Sequence, residues 1–149
     1  MKPFISTKSY GFLNYLTGAF LFASPMIIPG PDGHPYYYHA GGAILFLPLI
    51  IGWLQMVMTF FSASPLGVIK QFPVQMHCFE NILTGSFLIA APFIYGFSDV
   101  IWWPHVLGGA MLMILGLFTT NSPFTTPTPR AQPQGGLTSV DYEEQSLMH

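Results

Sequence analysis

Asn14-Tyr-Leu-Thr-Gly-Ala-Phe-Leu-Phe-Ala-Ser-Pro-Met26 decides how the chain is read, because it returns as Asn81-Ile-Leu-Thr-Gly-Ser-Phe-Leu-Ile-Ala-Ala-Pro-Phe93. Asn14 answers to Asn81, Thr17 to Thr84, Gly18 to Gly85 and Pro25 to Pro92, each at an offset of 67. At the same offset Gly41-Gly42-Ala43 answers to Gly108-Gly109-Ala110. One offset shared by two separate blocks marks a duplicated unit.

Composition gives the class. Of 149 residues 51% are hydrophobic and only 7% charged, with a mean hydropathy of +0.49. Soluble domains carry roughly 25% charged residues, and with so few this chain could not cover a water-facing surface. It reads as an integral membrane protein. A formal net charge of −2 without a basic patch gives no support for nucleic acid as a partner. The single cysteine, Cys78, excludes an internal disulfide.

Taken outward from the repeat, the chain divides into five parts. Residues 1–9 are a polar head with Lys2 and Lys8. Residues 10–61 form the first two-helix repeat, with spans expected over 10–28 and 39–61. About 20 helical residues cross a hydrocarbon core of ~30 Å. The first span is read as a retained helix, since the same segment recurs at Asn81, where no signal peptide stands. Pro29-Gly-Pro-Asp-Gly-His-Pro35 is a turn signal, and Tyr36, Tyr37 and Tyr38 suit an interfacial belt. Residues 62–76 are a linker, and 77–120 are the second repeat, with spans over 77–95 and 103–119. Pro104 suits the first turn of a helix. Residues 121–149, rich in proline and ending in a polar run, are expected to be disordered.

With the N-terminus inside, Lys2, Lys8, Lys70 and Arg130 all fall on the cytoplasmic side, while Asp32 and Asp99 lie in the outer loops. Both units then point the same way, as parallel repeats about an axis along the membrane normal.

The small residues are read as packing signals. Gly11 and Gly18 share a face of the first span, and Gly109 and Gly116 a face of the fourth. Gly41, Gly42, Gly85 and Gly108 join this set. Thr17 and Thr84 either return hydrogen bonds to their own backbone or reach a neighbouring helix. Ser24-Pro25 and Ala91-Pro92 sit near the outer ends of the first and third spans. Each proline frees a carbonyl one turn back, near Leu21 and Leu88, and bends or ends its helix.

An asparagine, Thr-Gly, an apolar run, (Ser/Ala)-Pro, a loop with tryptophan and then Gly-Gly-Ala resembles the Ser-Pro-Trp (SPW) repeat family, over about Tyr10 to Thr120. Neither copy keeps the tryptophan of that motif: Met26 and Phe93 stand there instead. The resemblance implies a small prokaryotic membrane protein built of two-helix units, and it implies no biochemical activity.

No Asp, Glu, Lys or Arg lies near a span centre, and Gln55 is the one amide well inside a span. Glu80 is read as complementing the positive end of its helix. Pumps and ion-coupled transporters place ionisable groups within the membrane, so translocation by this chain alone is not expected. His39 and His105 start the two even-numbered spans. They are the candidate cofactor-binding pair, for a haem, a quinone or a metal, against the plainer reading of interfacial histidines. No nucleophile–base pair, paired acids, phosphate loop or zinc spacing is present.

The expectation is therefore an all-α membrane protein of four transmembrane helices in two parallel tandem repeats, with both termini cytoplasmic in a bacterial inner membrane. Its expected role is a non-enzymatic accessory or scaffold subunit in a larger membrane protein complex, surrounded by membrane lipid. The alternative is a binder of a lipid, quinone or haem between the helices.

Overall fold

The structure is a computed structural model and describes residues 2–36, 42–120 and 122–125. Tyr37, Tyr38, His39, Gly41 and the tail from residue 126 lie outside the described residues. The described residues form four helices: α1 Thr7–Ile27, α2 Ala43–Phe61, α3 Val74–Ile94 and α4 Trp103–Phe118. Local chemistry sets their starts. The Ser6 hydroxyl accepts from the Ser9 amide at 3.1 Å and caps α1. Gly42 takes φ +73 to turn the chain into α2, a conformation that glycine adopts freely. Pro104 occupies the first turn of α4, where its missing donor costs nothing.

Helices α2 and α3 are long and apolar enough to span a membrane, and α4 is a shorter apolar helix of 16 residues. Only 33% and 39% of the apolar windows of α2 and α3 are buried within the protein. The core helix of a soluble domain would be mostly buried, so these helices direct most of their apolar surface outward. Phe46, Ile50 and Trp53 on α2 and Phe79, Leu83 and Phe87 on α3 are all exposed.

The helices pair through glycine. A Cβ on Gly18 would lie 2.9 Å from the Gly52 carbonyl oxygen, and one on Gly52 would lie 2.6 Å from that of Gly18. Gly85 and Gly109 stand in the same relation, at 2.6 Å both ways. The absence of side chains thus seats α1 on α2 and α3 on α4 with their backbones nearly touching, which dispersion favours in lipid. Gly11 backs onto Leu66 and Ser64, Gly108 onto Leu21, and Gly116 onto Cys78 and Ile82. Gly42 differs: nothing lies within 4 Å of a Cβ there, so it serves the turn and not a helix contact.

These contacts correct the register of the duplication. Gly52 answers to Gly109 and Met56 to Met113, an offset of 57, whereas α1 and α3 keep the offset of 67. The ten extra residues belong to the connection between α1 and α2. Pro48 therefore corresponds to His105. The matching Gly-Gly-Ala triplets are not equivalent in space, since Gly42 sits at the mouth of a loop and Gly109 inside a helix pair.

The duplicate closes on itself. After α2, Ser62 pairs in parallel with Phe72 ahead of α3; after α4, Thr119 pairs in parallel with Ile5 ahead of α1. The hydrogen bonds repeat too. Phe72 donates to the Phe61 carbonyl at 3.0 Å and Ile5 to that of Phe118 at 3.2 Å. Ala63 donates to Phe72 at 2.7 Å and Thr120 to Ile5 at 2.8 Å. A pseudo-twofold axis runs between the two units. One end of the molecule is closed by an apolar plug of Ile28, Tyr36, Ile44, Ala91, Phe97 and Ile101, and the other by Ile5, Tyr10, Val74, Cys78 and Leu115.

Candidate functional site

On α1, residues 10, 14, 17 and 21 share one face at helical spacing, and on α3 so do 77, 81, 84 and 88. Those two faces meet across the pseudo-twofold axis, so equivalent residues meet each other. Asn81 Nδ2 donates to Asn14 Oδ1 at 3.0 Å and to Tyr10 Oη at 3.1 Å. Tyr10 and its equivalent His77 stand edge to face, ring centres 5.2 Å apart. All four side chains are fully buried.

The cluster then extends to one side only. His77 Nε2 lies 3.4 Å from Asn14 Nδ2 and 3.4 Å from Gln55 Oε1. The first contact needs a lone pair on the imidazole nitrogen and the second a proton, so a neutral ring serves one at a time. Gln55, reaching from α2, turns its amide nitrogen onto Glu80, donating to Oε1 at 3.1 Å and Oε2 at 3.2 Å. The same nitrogen meets Thr84 Oγ1 at 3.2 Å. Glu80 Oε2 lies 3.9 Å from His77 Nε2. His77 Nδ1 and Asn81 Oδ1 meet no hydrogen-bond partner among the described residues.

Glu80 is thus not the helix-end complement that its position in the sequence implied. It is the seventh residue of α3, beyond the first turn where the helix dipole acts, and it is held by an amide from another helix. Thr17 returns its hydroxyl to the Leu13 carbonyl at 2.8 Å. Its equivalent Thr84 donates to the Glu80 carbonyl at 2.9 Å and also receives Gln55.

At the opposite end, Ser24 explains the Ser-Pro pair. Pro25 cannot donate to the Leu21 carbonyl, and the Ser24 hydroxyl donates to it instead at 2.8 Å. That hydroxyl also meets Tyr36 Oη at 3.0 Å. In the second unit Ala91 precedes Pro92 and has no hydroxyl to offer. Burial pushes the Tyr36 phenol up to about 12, with the Ser24 hydrogen bond opposing.

His105 lies beneath this plug, fully buried, with Phe97 at 4.9 Å and Tyr36 at 6.2 Å between ring centres. Neither of its nitrogens meets a hydrogen-bond partner of good geometry among the described residues. It is a core residue near the start of α4. His39, its intended companion, lies outside the described residues. No three His, Cys, Asp or Glu side chains converge on a metal-sized site among the described residues.

Sequence reasoning missed Tyr10, His77 and the link from Gln55 to Glu80. The signal was available in part, since the offset of 67 sets Tyr10 against His77 and both lie in helical register with the asparagines. Gln55 belongs to another helix whose register was misassigned, so no local pattern connected it to Glu80.

An all-helical tandem duplication with outward apolar faces and polar groups drawn to its axis defines a repeat protein of membrane type. SPW repeat domains match residues 8–119, and the chain belongs to the SPW repeat family, a membrane-protein family of unknown function. No curated protein and no solved structure matches it.

Proposed function

We propose that the chain crosses a bacterial inner membrane four times, with both termini cytoplasmic, and serves as a non-enzymatic accessory or scaffold subunit packed against another membrane protein. The observation that carries this reading is the division of its surface. Asn14, Gln55, His77 and Asn81 are fully buried where the two units meet, while Phe12 and Leu16 on α1, Trp53 on α2, Leu83 on α3 and Leu107 and Ile114 on α4 face outward. Between α1 and α4 that surface opens into an apolar groove of about 360 Å³, lined by Leu16, Thr17, Phe20, Leu107, Gly108 and Met111. Such a groove suits the ridge of another transmembrane helix.

The groove also favours a second reading, a binder of a lipid or quinone tail. Native mass spectrometry on protein extracted gently from its own membrane separates the two. Extra mass of polypeptide size supports the subunit, and extra mass of small-molecule size supports the binder. A bare 16.5 kDa chain at every detergent strength contradicts both.

A further inference from the structure

We propose that Glu80 and His77 form a proton-binding site inside the membrane, one exchangeable proton residing on either the carboxyl or the imidazole at the α2–α3 seam. Glu80 stands roughly 10 Å along α3 from its start, at 1.5 Å per residue. Its side chain is 20% exposed on the outer side of the seam, whereas that of His77 is fully buried. A lone carboxylate there is costly, because both desolvation and lipid oppose the charge.

Among the described groups near Glu80, His77 is the one that can carry a compensating positive charge. From α2 comes Gln55, which is neutral and donates to both carboxyl oxygens. From α1 come Asn14 and Tyr10, reached through His77 and Asn81. On α3 itself stand His77 and Thr84. Lys2, Lys8 and Lys70 are exposed, and none is paired with Glu80. The pair is neutral either as carboxylic acid with neutral imidazole or as carboxylate with imidazolium, and the two forms differ only in where the proton sits. In the second form, His77 Nε2 donates to Gln55 Oε1 while facing Glu80 Oε2. The unpartnered Nδ1 of His77 can hold or release a proton, so the ring can change tautomer or charge as the proton moves, while Asn81 Oδ1 is an unfilled acceptor throughout. Gln55 touches both partners and couples them.

The pseudo-symmetric positions underline the point. Leu13 stands where Glu80 does, Tyr10 where His77 does, and Leu112 where Gln55 does, so the Glu–His–Gln set occurs at one of the two equivalent seams.

The test is labelling of the full chain in its membrane with dicyclohexylcarbodiimide, an apolar reagent that reaches carboxylic acids from lipid. The acid adds across a C=N bond, its oxygen going to carbon and its proton to nitrogen. The expected result is one adduct mapped to Glu80, increasing as pH falls and absent from Glu80→Gln. In His77→Gln the labelling extends to higher pH, because the carboxylate has lost its counter-charge. A purely structural His77 would leave that profile unmoved. In parallel, the melting temperature of the parent protein varies with pH more steeply than that of Glu80→Gln, which keeps an acceptor for Gln55. Absence of Glu80 labelling at every pH, or a profile identical in His77→Gln, overturns the proposal.

Discussion

The two seams that join the repeats are built from equivalent positions and filled in opposite ways. At the α2–α3 seam stand His77, Glu80 and Gln55; at the α1–α4 seam their equivalents are Tyr10, Leu13 and Leu112. Gln55 crosses the first seam with hydrogen bonds to Glu80 and Thr84. The second is held by packing, with Leu21 resting on Gly108, and it opens into the groove. Ile51 occupies the place of Gly108 on the polar side, packed with Leu21, Leu88 and Leu112. The two seams therefore share a backbone arrangement and differ in their side chains. One seam is covalently linked through residues 62–73 and hydrogen-bonded, while the other lies between the first and last helices and carries the apolar groove.

The largest effect expected is at the glycine contacts that both units share. In Gly52→Ala the new Cβ meets the Phe22 amide nitrogen at 2.5 Å, and backbone cannot yield as a side chain does. A loss of about 3 kcal/mol is expected, read as a fall in thermal midpoint in mild detergent. Gly42→Ala is the control for crowding, since only the backbone conformation is strained there.

The next change breaks the polar seam alone. Gln55→Leu gives it the residue of its apolar counterpart and leaves the Glu80 carboxyl without its donor, at a cost of about 2 kcal/mol. Gln55→Leu with Glu80→Leu recovers most of that loss, because an apolar pair imitates the α1–α4 seam. A double variant no more stable than the single one would show that the comparison of seams is wrong.

Smaller effects sharpen it. Asn14→Leu removes the hydrogen bond across the axis and costs about 1 kcal/mol, in the range for polar contacts within membranes. Ser24→Ala exposes the carbonyl freed by Pro25 and costs about 1 kcal/mol, while Ala91→Ser supplies the missing donor beside Pro92 and gains less. In an alkaline ultraviolet titration Tyr36 ionises only near 12. Because its folded value is raised, its contribution to stability is full below the ordinary tyrosine range and is lost as pH rises through it.

The architecture was legible where the repeat is strong. Thr-Gly and the prolines at one offset placed α1 and α3, and Pro104 marked the start of α4. The register of α2 against α4 was not, because a chance match of Gly-Gly-Ala at the offset of 67 outweighed Gly52, an isolated glycine in an apolar run. The packing meaning of Gly52 exists only once Gly18 lies against it. The polar cluster was hidden for a similar reason. Glu80 by itself reads as a helix-end charge, and only the contact with Gln55, 25 residues away on another helix, gives it a partner.

The account rests on the duplicate closing on itself, with the end of each unit paired to the start of the other. Disulfide trapping in native membranes tests this directly, using Ile5→Cys with Thr119→Cys, and Ser62→Cys with Phe72→Cys, each in a Cys78→Ala background. Intact mass reads the loss of two hydrogens on closure. Both pairs are predicted to close with similar ease, since both form the same parallel bridge. Closure at 62 and 72 with none at 5 and 119 would contradict the account, leaving two hairpins in tandem without the shared axis.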